Sequence, residues 1–577
     1  MSFDCLVLAA VREELQQRLA GARVQRVFEI GKNEAVLHLH HRGRVEMLLL
    51  SGDAQHARVH LTSRRQERPE APSPFCMLLR KYLVGGRIRE FRQLHLERVL
   101  EIDFDPPEAM RPVKLVAEIM GRRSNLLLVD EKNVILGAVK TASWEQNPKR
   151  AVQPGEPYRP VPPQDKLDPL AVQPEELEKA LDPLMGGNGN PEKALVRAVR
   201  GLSPLAAREL LHRSRWDPGA PWPAAQRLAG AIRELFAAAA AGQFKPVLAE
   251  RLGLYAAYSL THLPASELQT YASINELLDE YYDRLIRREK TTNLRNLLNS
   301  RVSHRLARLE MTLHEQQQEL ASAEDAPLYR LYGETLLTYA GQVPRGASLA
   351  VLPHLYRPEE TLEIPLDPAL SAQDNSRKYF QRYRKAQKAQ EIIAERIKQT
   401  REEIDYCRAL LYTIENGDGR SLEEIRQELV EAGYLREKKK KGPKKELPPQ
   451  PLIYKTSSGR TILVGQNNRQ NDYITFKAAT RRDTWLHVRE VPGSHVILKD
   501  APYPPPEEDL EEAALLAAYY SRARYSSAAA VDYTQVRHVR RGPGGKPGFV
   551  LYDNFHTITV NPGSEKLQRL LKSGAPS

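Results

Sequence analysis

At 577 residues the chain is several times the size of a single hydrophobic core, so about three to five packed units are expected and a one-core fold is excluded. Its 85 lysines and arginines against 73 acids, a formal charge of +12 and a pI near 9.3 favour polyanionic partners, either nucleic acid or an anionic membrane surface. The three cysteines, Cys5, Cys76 and Cys407, are far apart and odd in number, which excludes a disulfide framework and a thiolate metal cage and fits a reducing compartment. Asp4, Arg12, Glu13 and Glu14 stand where a signal peptide needs an apolar core. No stretch approaches the roughly 18 apolar residues of a spanning helix, so a soluble, cytoplasmic protein without membrane attachment is expected.

In chain order, a short helix is predicted around 6–19, then β-rich runs at 23–29, 34–40, 44–51, 58–62, 99–104, 114–119 and 125–129. Their period-two polarity points to antiparallel sheet. One helix interrupts them, starting after Ser73-Pro74 and stopping at Gly85-Gly86. The proline-rich stretch 151–168 reads as a connector. Beyond it, 195–211 shows two apolar helical stripes joined at Gly201-Leu202-Ser203-Pro204, a helix-hairpin-helix pattern whose glycine permits close backbone approach and whose second helix can turn amides toward a phosphate. Gly201, Ser203 and Arg208 are the candidate contacts there, and an ordinary helical hairpin is the alternative reading.

Two long charged helices are expected at 274–326 and 375–416. The second carries a heptad seam of Tyr379, Tyr383, Ala386, Gln390, Ile393, Ile397, Thr400, Ile404, Cys407, Leu411 and Ile414. Val302, Leu306, Leu309, Leu313 and Leu320 offer a compatible seam on the first, so the arms can pair as an antiparallel coiled-coil hairpin, each roughly 60–80 Å long. A dimerising coiled coil is the alternative. A small insert at about 327–372 should sit at the tip. The run Arg436-Glu437-Lys438-Lys439-Lys440-Lys441 reads as a basic tether suited to salt-sensitive phosphate contact, and 450–565 as a compact α/β unit with strands near 451–454, 461–464, 483–487, 495–498, 531–539 and 550–559 and a helix near 510–522. The expected boundaries are 1–168, 169–268, 269–435, 436–449 and 450–577.

The run Asp483-Thr484-Trp485-Leu486-His487-Val488-Arg489-Glu490-Val491-Pro492-Gly493-Ser494-His495, preceded by Gly465-Gln466-Asn467-Asn468-Arg469-Gln470-Asn471-Asp472, resembles the RNA-binding module of the NFACT family. So do Val531-Asp532-Tyr533-Thr534 and Lys546-Pro547-Gly548-Phe549-Val550. Met1-Ser2-Phe3-Asp4, Pro74-Phe75-Cys76-Met77-Leu78-Leu79-Arg80-Lys81 and Glu118-Ile119-Met120-Gly121-Arg122-Arg123-Ser124-Asn125 are similar to the bacterial branch of that family, whose members have long been called fibronectin-binding proteins. The order of the modules agrees along the whole chain.

The resemblance implies a multidomain α+β protein: a β-rich N-terminal domain like that of formamidopyrimidine-type glycosylases, a helix-hairpin-helix domain, the coiled-coil hairpin with its tip domain, and a C-terminal α/β RNA-binding domain. It implies ribosome quality control. In that activity a factor binds the 50S subunit and its 23S rRNA while the subunit holds peptidyl-tRNA, recruits alanyl-tRNA, and directs an untemplated alanine tail that marks the stalled chain for degradation. A small RNA-binding helper of the same pathway is implied as a partner. Peptide-bond chemistry belongs to the ribosome, so no catalytic residue, metal or cofactor is expected.

For tRNA contact the resemblance points to Asp4 and Arg98, with Glu97 standing where the family has aspartate; the extra methylene shifts the carboxylate by about a bond length but keeps its charge. A surface salt bridge is the alternative for that pair. Arg122 and Arg123 either grip phosphate or solvate a turn. In the C-terminal module, Arg469, Asn471, Arg489, Gly493 and Ser494 are the candidate RNA contacts, Trp485 reads as core packing, and His487 with His495 are too few ligands for a metal site. Two other functions are weighed. A DNA glycosylase would need an N-terminal proline and a cysteine zinc finger, but Ser2 follows Met1 and the cysteines are scattered. A surface adhesin would need an export route the sequence does not show, although incidental fibronectin capture by a basic surface is compatible with it.

Overall fold

The computed structural model describes residues 3–31, 33–64, 71–94, 96–107, 111–146, 150–161, 165–185, 190–216, 221–322, 325–436, 449–542 and 545–573. Ser2 and the lysines of the basic tether, Lys438 to Lys441, lie outside them. The chain divides into two compact units, Met1–Ile286 and Arg287–Ser577.

The first unit opens with helix α1 (Cys5–Leu19), which Asp4 caps by accepting the Val7 amide at 2.9 Å. Such a cap is worth ~1 kcal/mol. Its first seven residues are all buried, so this helix has no solvent face at its start and serves as a core element. Strands β1 (Arg23–Gly31), β2 (Glu34–His41), β3 (Arg44–Ser51) and β4 (Arg58–Leu61) form one antiparallel meander. Helix α2 (Pro74–Leu83), capped by Ser73, leads to a second meander of β5 (Arg87–Gln93), β6 (Val99–Asp105), β7 (Val113–Glu118), β8 (Asn125–Asp130) and β9 (Ile135–Ala138). The two join into one nine-stranded sheet through a single β1–β5 partner pair, Arg23 with Arg87. α1 shares its core with both: Val7, Leu8, Val11, Leu15 and Leu19 pack with Leu37, Leu50, Phe91, Ile102 and Leu115.

Four helices follow, α3 (Pro174–Met185), α4 (Pro191–Ala198), α5 (Pro204–Arg213) and α6 (Pro221–Ala240), around a separate core that includes Leu177, Leu195, Leu210, Leu228 and Ile232. A small sheet of β10 (Val247–Ala249), β11 (Leu254–Ala256) and β12 (Gln269–Thr270) precedes helix α7 (Ile274–Ser322), whose first turns bury Ile274, Leu277, Leu278 and Tyr282 in the sheet core.

In the second unit, α7 pairs antiparallel with α9 (Ala372–Asn416): Arg295 donates to the Ile414 carbonyl at 3.2 Å, and Thr400 donates to Gln316 at 3.0 Å. Leu298, Val302 and Leu309 pack there with Ile404, Cys407, Leu410 and Ile414. Between the arms lie α8 (Ala326–Thr338) and the hairpin of β13 (Leu349–His354) and β14 (Arg357–Pro365). One helix absent from the sequence reading, α10 (Gly419–Glu431), adds Leu422, Ile425 and Leu429 to the seam. That third partner makes Leu410, not Leu411, the fully buried residue.

The C-terminal sheet runs β15–β16–β18–β17–β19–β22, from β15 (Leu452–Lys455), β16 (Thr461–Val464), β17 (Thr484–Val488), β18 (Val496–Leu498), β19 (Ala529–Gln535) and β22 (His556–Val560), with β20 (Val539–Arg541) and β21 (Val550–Tyr552) paired separately. Each of the two long strands predicted at 531–539 and 550–559 is broken in two, the first by a 3-10 turn at Val536–His538. Helices α12 (Glu507–Tyr519) and α13 (Glu565–Ser573) cover one face. The other face carries α11 (Asn468–Tyr473) and the π-turn Ile474–Ala478. The result is a multidomain α+β protein, as the residue patterns predict.

Candidate nucleic-acid interface

The first unit holds a cavity of about 230 Å³ lined by Asp4, Cys5, Glu97, Arg98, Lys166, Gly201 and Ser203, among others. Five residues singled out in the sequence, Asp4, Glu97, Arg98, Gly201 and Ser203, thus meet at one place although they span some 200 positions of chain. Two helix starts face it. Asp4 caps α1 with one carboxylate oxygen and accepts the Ser203 hydroxyl at 2.7 Å with the other, while Ser203 caps α5 by accepting the Ala206 amide at 3.1 Å. The positive ends of both helices therefore converge on a carboxylate.

Burial raises the Asp4 carboxyl above its ordinary range, opposed by the Ser203 hydroxyl, the Val7 and Leu6 amides and the Arg98 guanidinium. The same burial drives the Cys5 thiol well up. That thiol donates to the Gly201 carbonyl at 2.7 Å. Gly201 has φ +76°, and a β-carbon there would lie 3.0 Å from the Cys5 sulfur, so both conformation and space demand glycine at this turn.

The turn between β5 and β6 presents Glu97 and Arg98. Leu96 takes φ +55°, costly for a branched side chain, and the Gln93 amide holds the turn by donating to the carbonyls of Cys5 (3.0 Å) and Glu97 (2.9 Å). Lys166, from the proline-rich connector, was not foreseen as a site residue. Its ammonium donates to the Val196 carbonyl at 2.9 Å, and burial lowers its pKa against the pull of Glu97. Cations, carboxylates and helix amides together can bind a phosphate and accept from a base amino group.

Other candidates lie elsewhere. Arg122 and Arg123 are exposed on the 3-10 turn Gly121–Arg123, and Gly121 lines a second cavity with Phe3, His56, Tyr255, Tyr281 and Tyr282. Arg208 is not a lining residue of the Asp4 cavity; it forks onto Glu192 at 2.8 and 3.1 Å on an exposed helix face.

In the C-terminal module the structure turns several candidates inward. Asn471 is 3% exposed and accepts the His495 amide at 3.0 Å, and Ser494 is 7% exposed. Arg469 donates to Gln427 and Glu431 on α10. Gly493 packs so closely on Ser521 that a β-carbon would stand 2.7 Å from its side chain. These contacts hold the loop and helix in place, and Asn471 and Gly493 also line a cavity beside Trp485 and His487. Arg489 remains exposed, 3.4 Å from Asp532 and over the ring of Phe555. Among the described residues no group of three His, Cys, Asp or Glu is arranged to hold a metal, and no helix is long and apolar enough to cross a membrane.

Residues 4–448 match the family model for NFACT N-terminal and middle domains, and residues 450–551 that for the NFACT protein RNA binding domain. The chain is 36% identical to the Rqc2 homolog RqcH of Bacillus subtilis, over 99% of this chain and 100% of that protein. It is 34% identical to the Rqc2 homolog RqcH of Streptococcus suis, again over 99% and 100%. Among solved structures, the C-terminal part of a fibronectin/fibrinogen-binding protein from Streptococcus suis is similar over 48% of this chain and 98% of that one, at 32% identity and a TM-score of 0.39.

Proposed function

This chain belongs to the NFACT family and acts in ribosome quality control, and from that membership we propose that it binds the 50S subunit carrying an obstructed peptidyl-tRNA and recruits a transfer RNA, alanyl-tRNA by its bacterial relatives, to extend the trapped chain with alanine. It works in the cytoplasm. RNA and the ribosome are its partners, with 23S rRNA and a small RNA-binding helper among the contacts. Bond formation is left to the ribosome, so the protein supplies grip and orientation, not chemistry. In this reading the nine-stranded sheet is the glycosylase-like fold, the α4–α5 turn is a helix-hairpin-helix, and the coiled-coil tip reaches the subunit.

One arrangement supports the reading above all: the convergence of Asp4, Glu97 and Arg98 with the α5 start at Gly201 and Ser203 in a single cavity. A cationic fork beside acceptors, at paired helix starts, suits an exposed RNA loop better than a uniform duplex backbone. The test is to crosslink RNA to the native protein in growing cells and sequence it. Transfer RNA and large-subunit ribosomal RNA should dominate; recovery of neither ends the proposal.

A further inference from the structure

The C-terminal module carries a larger cavity, about 520 Å³, on the sheet face opposite α12. Strand alternation builds it: Trp485 and His487 on β17 and His495 beside β18 share a face, whereas Leu486, Val496 and Leu498 point into the helix-covered core. Tyr552 and Phe549 add aromatic walls, with the Trp485 and Tyr552 rings 4.8 Å apart. α9 closes the far side with Tyr406, Arg408 and Ala409.

Three features describe what would fit. The interior is neutral: burial depresses the pKa of both imidazoles, and His487 pushes His495 further down. One wall is a buried indole, that of Trp485. The mouth carries both signs of charge, with Asp405 and Glu490 beside Arg408 and Arg522. Arg408 is engaged by Glu310 at 3.1 Å, but Arg522 is exposed, and no acid among the described residues pairs with it. The loop at the rim is held in an uncommon shape, with Glu490 at φ +57° and Gly493 pressed onto Ser521.

We propose that this cavity receives one unpaired, unstacked nucleotide of RNA, its base among Trp485, His487 and Tyr552 and its phosphate at Arg522. The inference rests on the RNA-binding reading above and names the part of the RNA this module takes. A neutral planar base suits the uncharged aromatic wall that His487, Phe549 and Tyr552 present, and the charged phosphate stays where the guanidinium and water meet it. A base within a duplex cannot enter, because its faces are occupied by neighbouring pairs. The volume lies within the range of about 300–1,000 Å³ typical of pockets that enclose a planar ligand.

The experiment uses the full chain with Trp144→Phe, Trp216→Phe and Trp222→Phe, which leaves Trp485 as its one tryptophan. Its fluorescence is titrated with a mixed-sequence RNA hexanucleotide, with a blunt-ended RNA duplex and with AMP, and the same protein is sedimented with 50S subunits. The hexanucleotide should change the Trp485 emission and the duplex should not. Arg522→Ala, and Ala409→Phe to fill the cavity, should each weaken hexanucleotide binding at least fivefold, with thermal melts verifying that both variants fold. Equal responses to duplex and single strand, unchanged affinity in both variants, or a response to AMP alone would each overturn the proposal. Sedimentation with 50S but no Trp485 response removes this site only; failure to sediment removes the underlying reading with it.

Discussion

The cavity at Asp4 and the cavity at Trp485 are walled by different materials. The first joins side-chain charges to helix ends, with Arg98, Lys166, Glu97 and a carboxylate shared between two caps; the second is aromatic inside, with Arg408 and Arg522 offset by Asp405 and Glu490 at the mouth. A charged wall attracts any RNA and loses strength as salt rises, whereas a dry aromatic wall attracts weakly but sorts by shape and pairing state. One protein can therefore hold RNA by two mechanisms that fail under different conditions.

The sharpest way to break that contrast is Arg98→Ala. Loss of a forked guanidinium contact costs about 1–3 kcal/mol, so alanine tailing by purified complexes should fall on the order of a hundredfold while 50S co-sedimentation changes little. Full tailing in that variant would remove Arg98 from the site.

A subtler test addresses support of the aromatic cavity. Glu428 on α10 accepts from Tyr406 (2.7 Å) and Asn468 (3.0 Å), both lining residues, and burial pushes its carboxyl up from 4.5 to about 7. The folded state thus holds a proton that the unfolded chain releases near 4.5, so stability falls as pH rises from there to about 7 and stays reduced above it. Glu428→Gln should raise the unfolding stability at pH 8 by on the order of 2 kcal/mol, seen as a higher melting temperature, and flatten its pH dependence; an unchanged profile would contradict this.

At the charged cavity, Gly201→Ala forces an alanine into φ +76° against Cys5 and should cost about 1–2 kcal/mol by denaturant melting. Smallest of all, Arg208→Ala breaks only an exposed ion pair and should change stability by less than about 0.5 kcal/mol. If α5 also grips phosphate, the salt slope of RNA binding falls by about one in that variant.

How much of this was legible in the sequence depended on whether burial followed hydrophobicity. β1 to β4 and β6 to β8 lie where alternation put them. β5 was missed because Arg87, Arg89 and Arg92 fill its outward positions and a bulge between Ile88 and Glu90 breaks the period, leaving only Ile88 and Phe91 as inward signals. α10 was passed over although Leu422, Ile425 and Leu429 form a helical stripe behind the Asp418 cap, and α11 was missed for the opposite reason to β5. Asn467, Asn468 and Gln470 look like loop residues, yet they are buried and donate to Glu424 and Glu428. The grouping of Asp4 with Arg98 came from family resemblance, since composition offers only diffuse basicity. Lys166 stayed hidden in a proline-rich stretch, and no sequence pattern shows that Ser494 is buried or that Asn471, likewise buried, stands in the wall of the aromatic cavity.

The sheet in the first unit has a bearing on how the chain is made. Within each meander every strand pairs with its neighbour in sequence, so each can zip up soon after it emerges during synthesis, with little loop entropy to overcome. Only one β1–β5 partner pair bridges the meanders, and the helix that packs on both precedes all their strands in the chain. α1 must therefore wait, its first two turns apolar on every side, until Phe91 and Ile102 arrive, an interval in which a nascent-chain chaperone has the most to protect.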